Sequence, residues 1–209
     1  MRNVGNVRNV ENERSTAVLR RVAAVVSGLG HPLLTTAGFA AYVAWRQLPG
    51  PAAAWAVGSV LAVVVPVGLW SWRQTRRGVY TNFDVSHRAQ RHSLYPVLLG
   101  LLGLATAALF GQPQAGEFRY GLLAAWLMLA LCYGINARLK VSLHAAVSFF
   151  LACAVLHLAG SWGVLALAPA TAVAASRWVL GRHTGPELAV GAAVGLAAGG
   201  GLTWFLAGC

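Results

Sequence analysis

Three short segments hold most of the side chains in this sequence that can do chemistry. Residues 83–92 carry Asp84, His87, Arg88, Arg91 and His92; residues 140–144 carry Lys140, Ser142 and His144; residues 176–187 carry Ser176, Arg177, Arg182, His183 and Glu187. An arginine cluster with two histidines and a carboxylate is what phosphoryl transfer needs. Arginine forks bind phosphate oxygens bidentately and stabilise charge at the reacting phosphorus. One imidazole can attack phosphorus while another protonates the leaving oxygen. A carboxylate beside the nucleophile can fix its tautomer.

That chemistry requires the three segments to meet, and composition indicates how they do. The chain of 209 residues is 57% hydrophobic and 10% charged, against roughly 25% charged in soluble domains. Its charges are clustered, leaving apolar stretches of about 17–25 residues, long enough to cross a hydrocarbon core. Spans are expected at 22–45, 52–70, 95–110, 120–135, 144–160, 162–175 and 188–207, with turns at 50–51, 112–117 and 160–161. The expected class is all-α, a polytopic membrane helix bundle of about seven spans. Residues 1–17 read as a disordered polar tail, and 18–209 as one transmembrane domain. The first apolar segment is too long for a signal peptide and is expected to be retained. The last span is rich in glycine (Gly191, Gly195, Gly199, Gly200, Gly201), which permits close helix packing in lipid. A packing seam inside the protein is expected there.

Loop parity then sorts the charges. Segments 73–93, 138–143 and 176–186 share one membrane face with the N-terminus. The opposite face holds only the connections near 47–51, 111–119 and 160–161, plus the C-terminus. Of the 16 Lys and Arg residues, only Arg46 and Arg119 fall on that opposite face. The positive-inside rule makes the basic face cytoplasmic. The net charge of +11 is thus a membrane-face property, and no nucleic-acid partner is expected. Cys132, Cys153 and Cys209 are scattered, and support neither a disulfide framework nor a metal site.

The same residues resemble the signatures of the type 2 phosphatidic acid phosphatase superfamily. Ser176-Arg177, five residues, His183, three residues, Glu187 is similar to the last signature, which ends in Asp. Val141-Ser142-Leu143-His144 is similar to the family's Pro-Ser-Gly-His, and Asp84, six residues, Arg91-His92 aligns with Lys, six residues, Arg-Pro. The resemblance covers the chain from the second span to the C-terminus, and implies a phosphatase-like core of six helices. It implies that His183 attacks phosphorus and becomes a phosphohistidine, that Glu187 orients it, and that His144 protonates the leaving group. Arg91, Ser142 and Arg177 match the residues that bind phosphate oxygens. The family requires no metal, and no cofactor is expected here. Asp84 stands where the family has a phosphate-binding Lys, which reverses the charge. Arg88, one helical turn on, is expected to supply that cation and pair with Asp84.

Plainer readings stand beside these. Thr184 to Glu187 also forms a capping box, with Pro186 in the first turn. Ser142 also reads as a helix N-cap. Arg88 and Arg91 also read as headgroup-facing residues, and His31 and His157 as hydrogen-bonded packing residues. The expected function is a membrane phosphatase acting on a lipid phosphomonoester or diphosphate at the cytoplasmic leaflet of a bacterial plasma membrane. Phosphatidate, phosphatidylglycerol phosphate and polyprenyl phosphates or diphosphates all fit. A phosphotransferase on the same scaffold, or a non-catalytic lipid-binding or transport relative, are the rival readings. The sequence leaves the oligomeric state open.

Overall fold

The computed structural model describes the backbone of residues 3–208 and the side chains of residues 15–208. Cys209 lies outside that range. Eight α-helices follow in order: α1 (Asn3–Leu29), α2 (Pro32–Gln47), α3 (Gly50–Arg76), α4 (Arg88–Phe110), α5 (Phe118–Asn136), α6 (Leu143–Ala159), α7 (Leu167–Val179) and α8 (Gly185–Ala207). Among the described residues there is no strand. Among the described residues, five helical stretches are long and apolar enough to cross a membrane, and the bent pair α1–α2 makes a sixth if it is one span.

One of those stretches, Leu143–Val179, doubles back on itself. Its middle is the 3-10 segment Gly160–Ala166, where Gly163 lies directly against the backbone of Leu156. Helices α6 and α7 pack along each other, so the N-terminus of α6 and the C-terminus of α7 finish at the same end of the bundle. Counting its two arms separately and α1–α2 as one gives seven helical runs in the all-helical bundle, of which α7, with 13 residues, is too short to cross a membrane by itself.

Helix α1 begins at Asn3, and one expectation about the N-terminal quarter is corrected. The span expected at 22–45 is broken, because α1 and α2 meet at an angle of 48°. The cause is local: Pro32 occupies the first turn of α2, and His31 is the extended N-cap residue before it. A residue preceding proline is driven out of the α region.

Helix α6 lies at the centre, against α8, α7 and α2, and α5 joins α4 to α8. The α6–α8 contact is the closest. A Cβ at Gly191 would fall 2.6 Å from the Ser142 carbonyl oxygen, one at Gly199 2.6 Å from the Cys153 Cβ, and Gly195 presses on the Ala146 carbonyl. Small residues let backbones approach where lipid gives no hydrophobic drive. This is the glycine seam expected from the sequence, and it lays the start of α8 on the start of α6. Large apolar side chains face outward, with Trp45, Trp162, Trp178 and Trp204 strongly exposed near helix ends, as interfacial anchors require.

Candidate active site

The loop from Arg77 to His87 has to carry Asp84 into the bundle. Tyr80 anchors it: the side chain is buried, and its hydroxyl accepts from Trp70 Nε1 at 3.2 Å and shares a bond of 2.8 Å with Ser93 Oγ. Asn82 then closes a turn, its carbonyl accepting from the Val85 amide at 3.1 Å and its Oδ1 from the Ser86 amide at 3.1 Å. Val85 takes φ of +48°, a strained conformation for a β-branched residue that the surroundings must hold in place. Its carbonyl accepts a 3.0 Å bond from Arg91 Nε.

Helix α4 starts at Arg88, earlier than hydropathy suggested, so Arg91 sits in its first turns and is 3% exposed. Besides Val85, Arg91 donates through Nη1 to the Val141 carbonyl, and its Nη2 lies 3.4 Å from His183 Nε2. One guanidinium therefore joins all three chemical segments.

The third segment is aimed by a helix terminus. Helix α7 ends in a Schellman motif: the Gly181 amide donates to the Trp178 carbonyl at 2.9 Å and the Arg182 amide to the Arg177 carbonyl at 3.0 Å. The motif needs a left-handed residue, and Gly181 supplies it at φ of +66°. Two residues later His183 is buried, with Nδ1 2.9 Å from Glu187 Oε2. The same carboxylate oxygen accepts the Thr184 amide at 3.1 Å and stands 3.7 Å from Lys140 Nζ. Glu187 thus acts as a helix cap and as the histidine's partner at once.

A carboxylate beside Nδ1 places the ring proton there and leaves the Nε2 lone pair to face Arg91 Nη2, from which it accepts. Burial, then the charges of Arg91, Lys140 and Arg177, push the His183 pKa down to about 2. The ring is neutral at physiological pH, the state a nucleophile requires.

Ser142 is the N-cap of α6, its Oγ accepting from the Ala145 amide at 3.4 Å. His144, two residues on, is 5% exposed, and its Nε2 is buried without a protein partner. It lies in electrostatic reach of Arg177 and His183.

Arg177 is 1% exposed. Its Nη1 donates to Asp84 Oδ2 at 2.6 Å and to Ser27 Oγ at 2.8 Å, while Nε and Nη2 are buried and lack a protein partner. Burial alone would raise the Asp84 pKa, but the bond from His31 and the charge of Arg177 outweigh it and hold the carboxyl well below the usual range.

His183, Glu187, His144, Ser142, Arg91 and Arg177 are therefore brought together. Arg88 is not: it is exposed, donates to the Arg138 carbonyl at 3.0 Å, and makes no pair with Asp84. The expected pairing assumed both residues on one helix, but Asp84 lies in the loop before α4. His31, read as a packing residue, is part of the cluster. Its Nε2 is 3.4 Å from Asp84 Oδ1 and its ring is 5.2 Å from that of His144. The Gly30-His31-Pro32 sequence carried the signal, since a residue before proline at a helix start leaves the helix. His157, at the opposite face, lies 3.5 Å from Glu117.

Ligand atoms of His31, Asp84 and His144 lie within 4.8 Å of one another, a spacing that could hold a metal ion. Hydrogen bonding assigns them otherwise. His31 Nδ1 accepts the Leu33 amide at 3.2 Å, so Nε2 carries the proton and donates to Asp84, whose other oxygen is taken by Arg177. His31 and Asp84 read as a polar chain ending on the Arg177 guanidinium, with His144 beside it in ring contact only.

Compared with protein-family models, with curated proteins and with solved structures, the chain finds no match in any of the three.

Proposed function

We propose that this chain is a membrane-embedded phosphatase that hydrolyses a lipid phosphomonoester or diphosphate through a phosphohistidine on His183. The observation that carries the reading is the pair of unpartnered groups beside a neutral histidine. Arg177 offers Nε and Nη2, the two donors on one edge of its fork, and His144 offers Nε2, all buried and without protein partners. Buried polar groups are rarely left unpaired, and an arginine edge matches a phosphate bidentately.

The steps follow from the positions. Phosphate oxygens lie on Arg177 and Arg91, near the N-terminus of α6, whose first amides favour an anion. The His183 Nε2 lone pair forms an N–P bond as the P–O bond to the leaving group breaks. The electron pair goes to that oxygen, which takes a proton from the imidazolium form of His144, a form that the negative charge of the bound phosphate favours. Glu187 stabilises the positive charge that develops on the ring of His183. Water then attacks phosphorus, loses a proton to His144, and the N–P bond breaks to release inorganic phosphate. By the positive-inside rule the site faces the cytoplasm, at headgroup depth, where an amphiphile keeps its tail in the bilayer.

The test is a screen of lipid phosphates with purified protein in detergent, alongside acid-labile labelling by substrate carrying radioactive phosphate. The expected result is phosphate release and a label lost in His183→Ala. Release undiminished in that variant would overturn the assignment. Product appearing on an acceptor alcohol instead of as inorganic phosphate would favour a phosphotransferase.

A further inference from the structure

A second feature lies below the site, on the other side of the membrane. A cavity of about 460 Å³ opens between α2, α3, α5, α6 and α8. Thr36 to Leu48 line it along α2, and Phe150 to Leu158 along α6. Its walls are mostly apolar; Gln47, Gln114, Glu117 and His157 gather where it reaches the face opposite the catalytic cluster.

The cavity shares helix faces with the site. On α6, Leu151, Ala154 and Leu158 recur at helical spacing seven, ten and fourteen residues after His144, so they lie beneath it on one face. On α2, Phe39 and Ala40 lie about two turns beyond His31, which touches His144. At 1.5 Å per residue, Leu158 is about 21 Å from His144. Half a hydrocarbon core is about 15 Å thick. A chain running from a phosphate at His183 to the end of this cavity therefore crosses the bilayer midplane.

We infer that the cavity is a binding site for the distal part of a long, single hydrocarbon chain, and that the substrate is of the polyprenyl phosphate class. The inference rests on the phosphatase reading for the substrate, but the cavity's occupancy does not depend on it. Acyl chains of a diacyl phosphate end near the midplane of their own leaflet and come in pairs; one polyprenyl chain reaches further and fits one slot. Shape and apolar lining of this kind are the usual marks of a ligand pocket.

The experiment uses the full chain in nanodiscs, with Ala40→Trp and Ala154→Phe filling the cavity at two independent points, each checked for an unchanged melting profile. Native mass spectrometry with undecaprenol, which lacks phosphate, reads the cavity alone. Retention by the parent protein and loss in both variants is expected. For undecaprenyl phosphate, KM should rise about tenfold, the effect of leaving about two chain methylenes unburied. Turnover of geranyl phosphate, too short to reach the cavity, should not change. Equal retention of undecaprenol in parent and variants, or an equal KM rise for both chain lengths, overturns the inference. If undecaprenol is retained as expected but no lipid phosphate is turned over, the cavity assignment stands and the phosphatase reading fails.

Discussion

Asp84 Oδ2 accepts a 2.6 Å hydrogen bond from Arg177 Nη1, pairing a carboxylate 24% exposed with a guanidinium 1% exposed. Removing one partner of a buried ion pair typically costs about 3–5 kcal/mol, because the other charge is left without compensation. Asp84→Ala should therefore lower the melting temperature markedly. A bound oxyanion supplies a new partner for the same arginine. Vanadate should raise the melting temperature of Asp84→Ala by more than it raises that of the parent protein. Equal shifts would mean that the anion does not bind at Arg177.

The double role of Glu187 can be separated. Glu187→Gln keeps an oxygen for the Thr184 amide and loses the charge that steers the His183 ring. In a serine protease triad the corresponding change lowers kcat about 10⁴-fold with the geometry intact. A loss of about 10²-fold or more is expected here, with little change in melting temperature. Glu187→Ala should add a stability loss of about 1 kcal/mol, the usual worth of a helix cap. Full activity in Glu187→Gln would leave the residue as a cap only.

What the sequence made legible, and what it did not, follows from the range of the signals used. Hydropathy and loop parity are bulk properties of whole spans, so they placed His144, Arg91, Arg177 and His183 at one membrane face. The roles of Glu187 and Ser142 as caps and as site residues proved compatible, because a first-turn side chain can reach both the backbone and a neighbour. The errors arose where one residue decides the backbone path. Pro32 breaks an otherwise continuous apolar run and delivers His31 into the cluster, which a window average conceals. Arg88 was assigned by helical spacing from Asp84, although the helix starts only at Arg88 itself. Ser27 joined through a tertiary contact with Arg177, which no local pattern encodes, and Lys140 of the second segment came to lie beside Glu187.

The His31–Asp84–His144 trio yields a prediction about metals. Because His31 Nε2 lies 3.4 Å from Asp84 Oδ1 and Asp84 is held by Arg177, chelation should leave turnover unchanged, and added zinc should inhibit by competing for both groups. Loss of activity with EDTA and recovery with a divalent ion would overturn the assignment of the hydrogen-bonded chain.

Acid should destabilise the fold in two stages. The folded His183 pKa is lowered from 6.5 to about 2, so the unfolded chain gains a proton that the folded chain refuses once pH falls below about 6.5. Asp84, lowered from 3.8, contributes stability above that value and loses it as pH falls toward the folded pKa. Melting temperature should decline from pH 7 to pH 4, with His183 contributing up to about 1.4 kcal/mol per pH unit. His183→Gln cannot titrate, and should make this upper limb shallower while leaving the steeper fall below pH 4. An unchanged upper limb in that variant would place the titration on another group.

The role of His144 shows in the leaving group. A proton donor matters most when the departing oxygen is a poor leaving group, and such donors contribute about 10²–10⁴-fold. An alkoxide from a lipid alcohol needs the proton; p-nitrophenolate does not. His144→Asn keeps a similar volume at the buried position and should reduce turnover of an alkyl phosphate by about 10²-fold or more, with a much smaller effect on p-nitrophenyl phosphate. If His144 only packed the bundle, both substrates would fall together. The ratio of the two rates therefore separates a proton-transfer role from a structural one, even in a variant that is less stable.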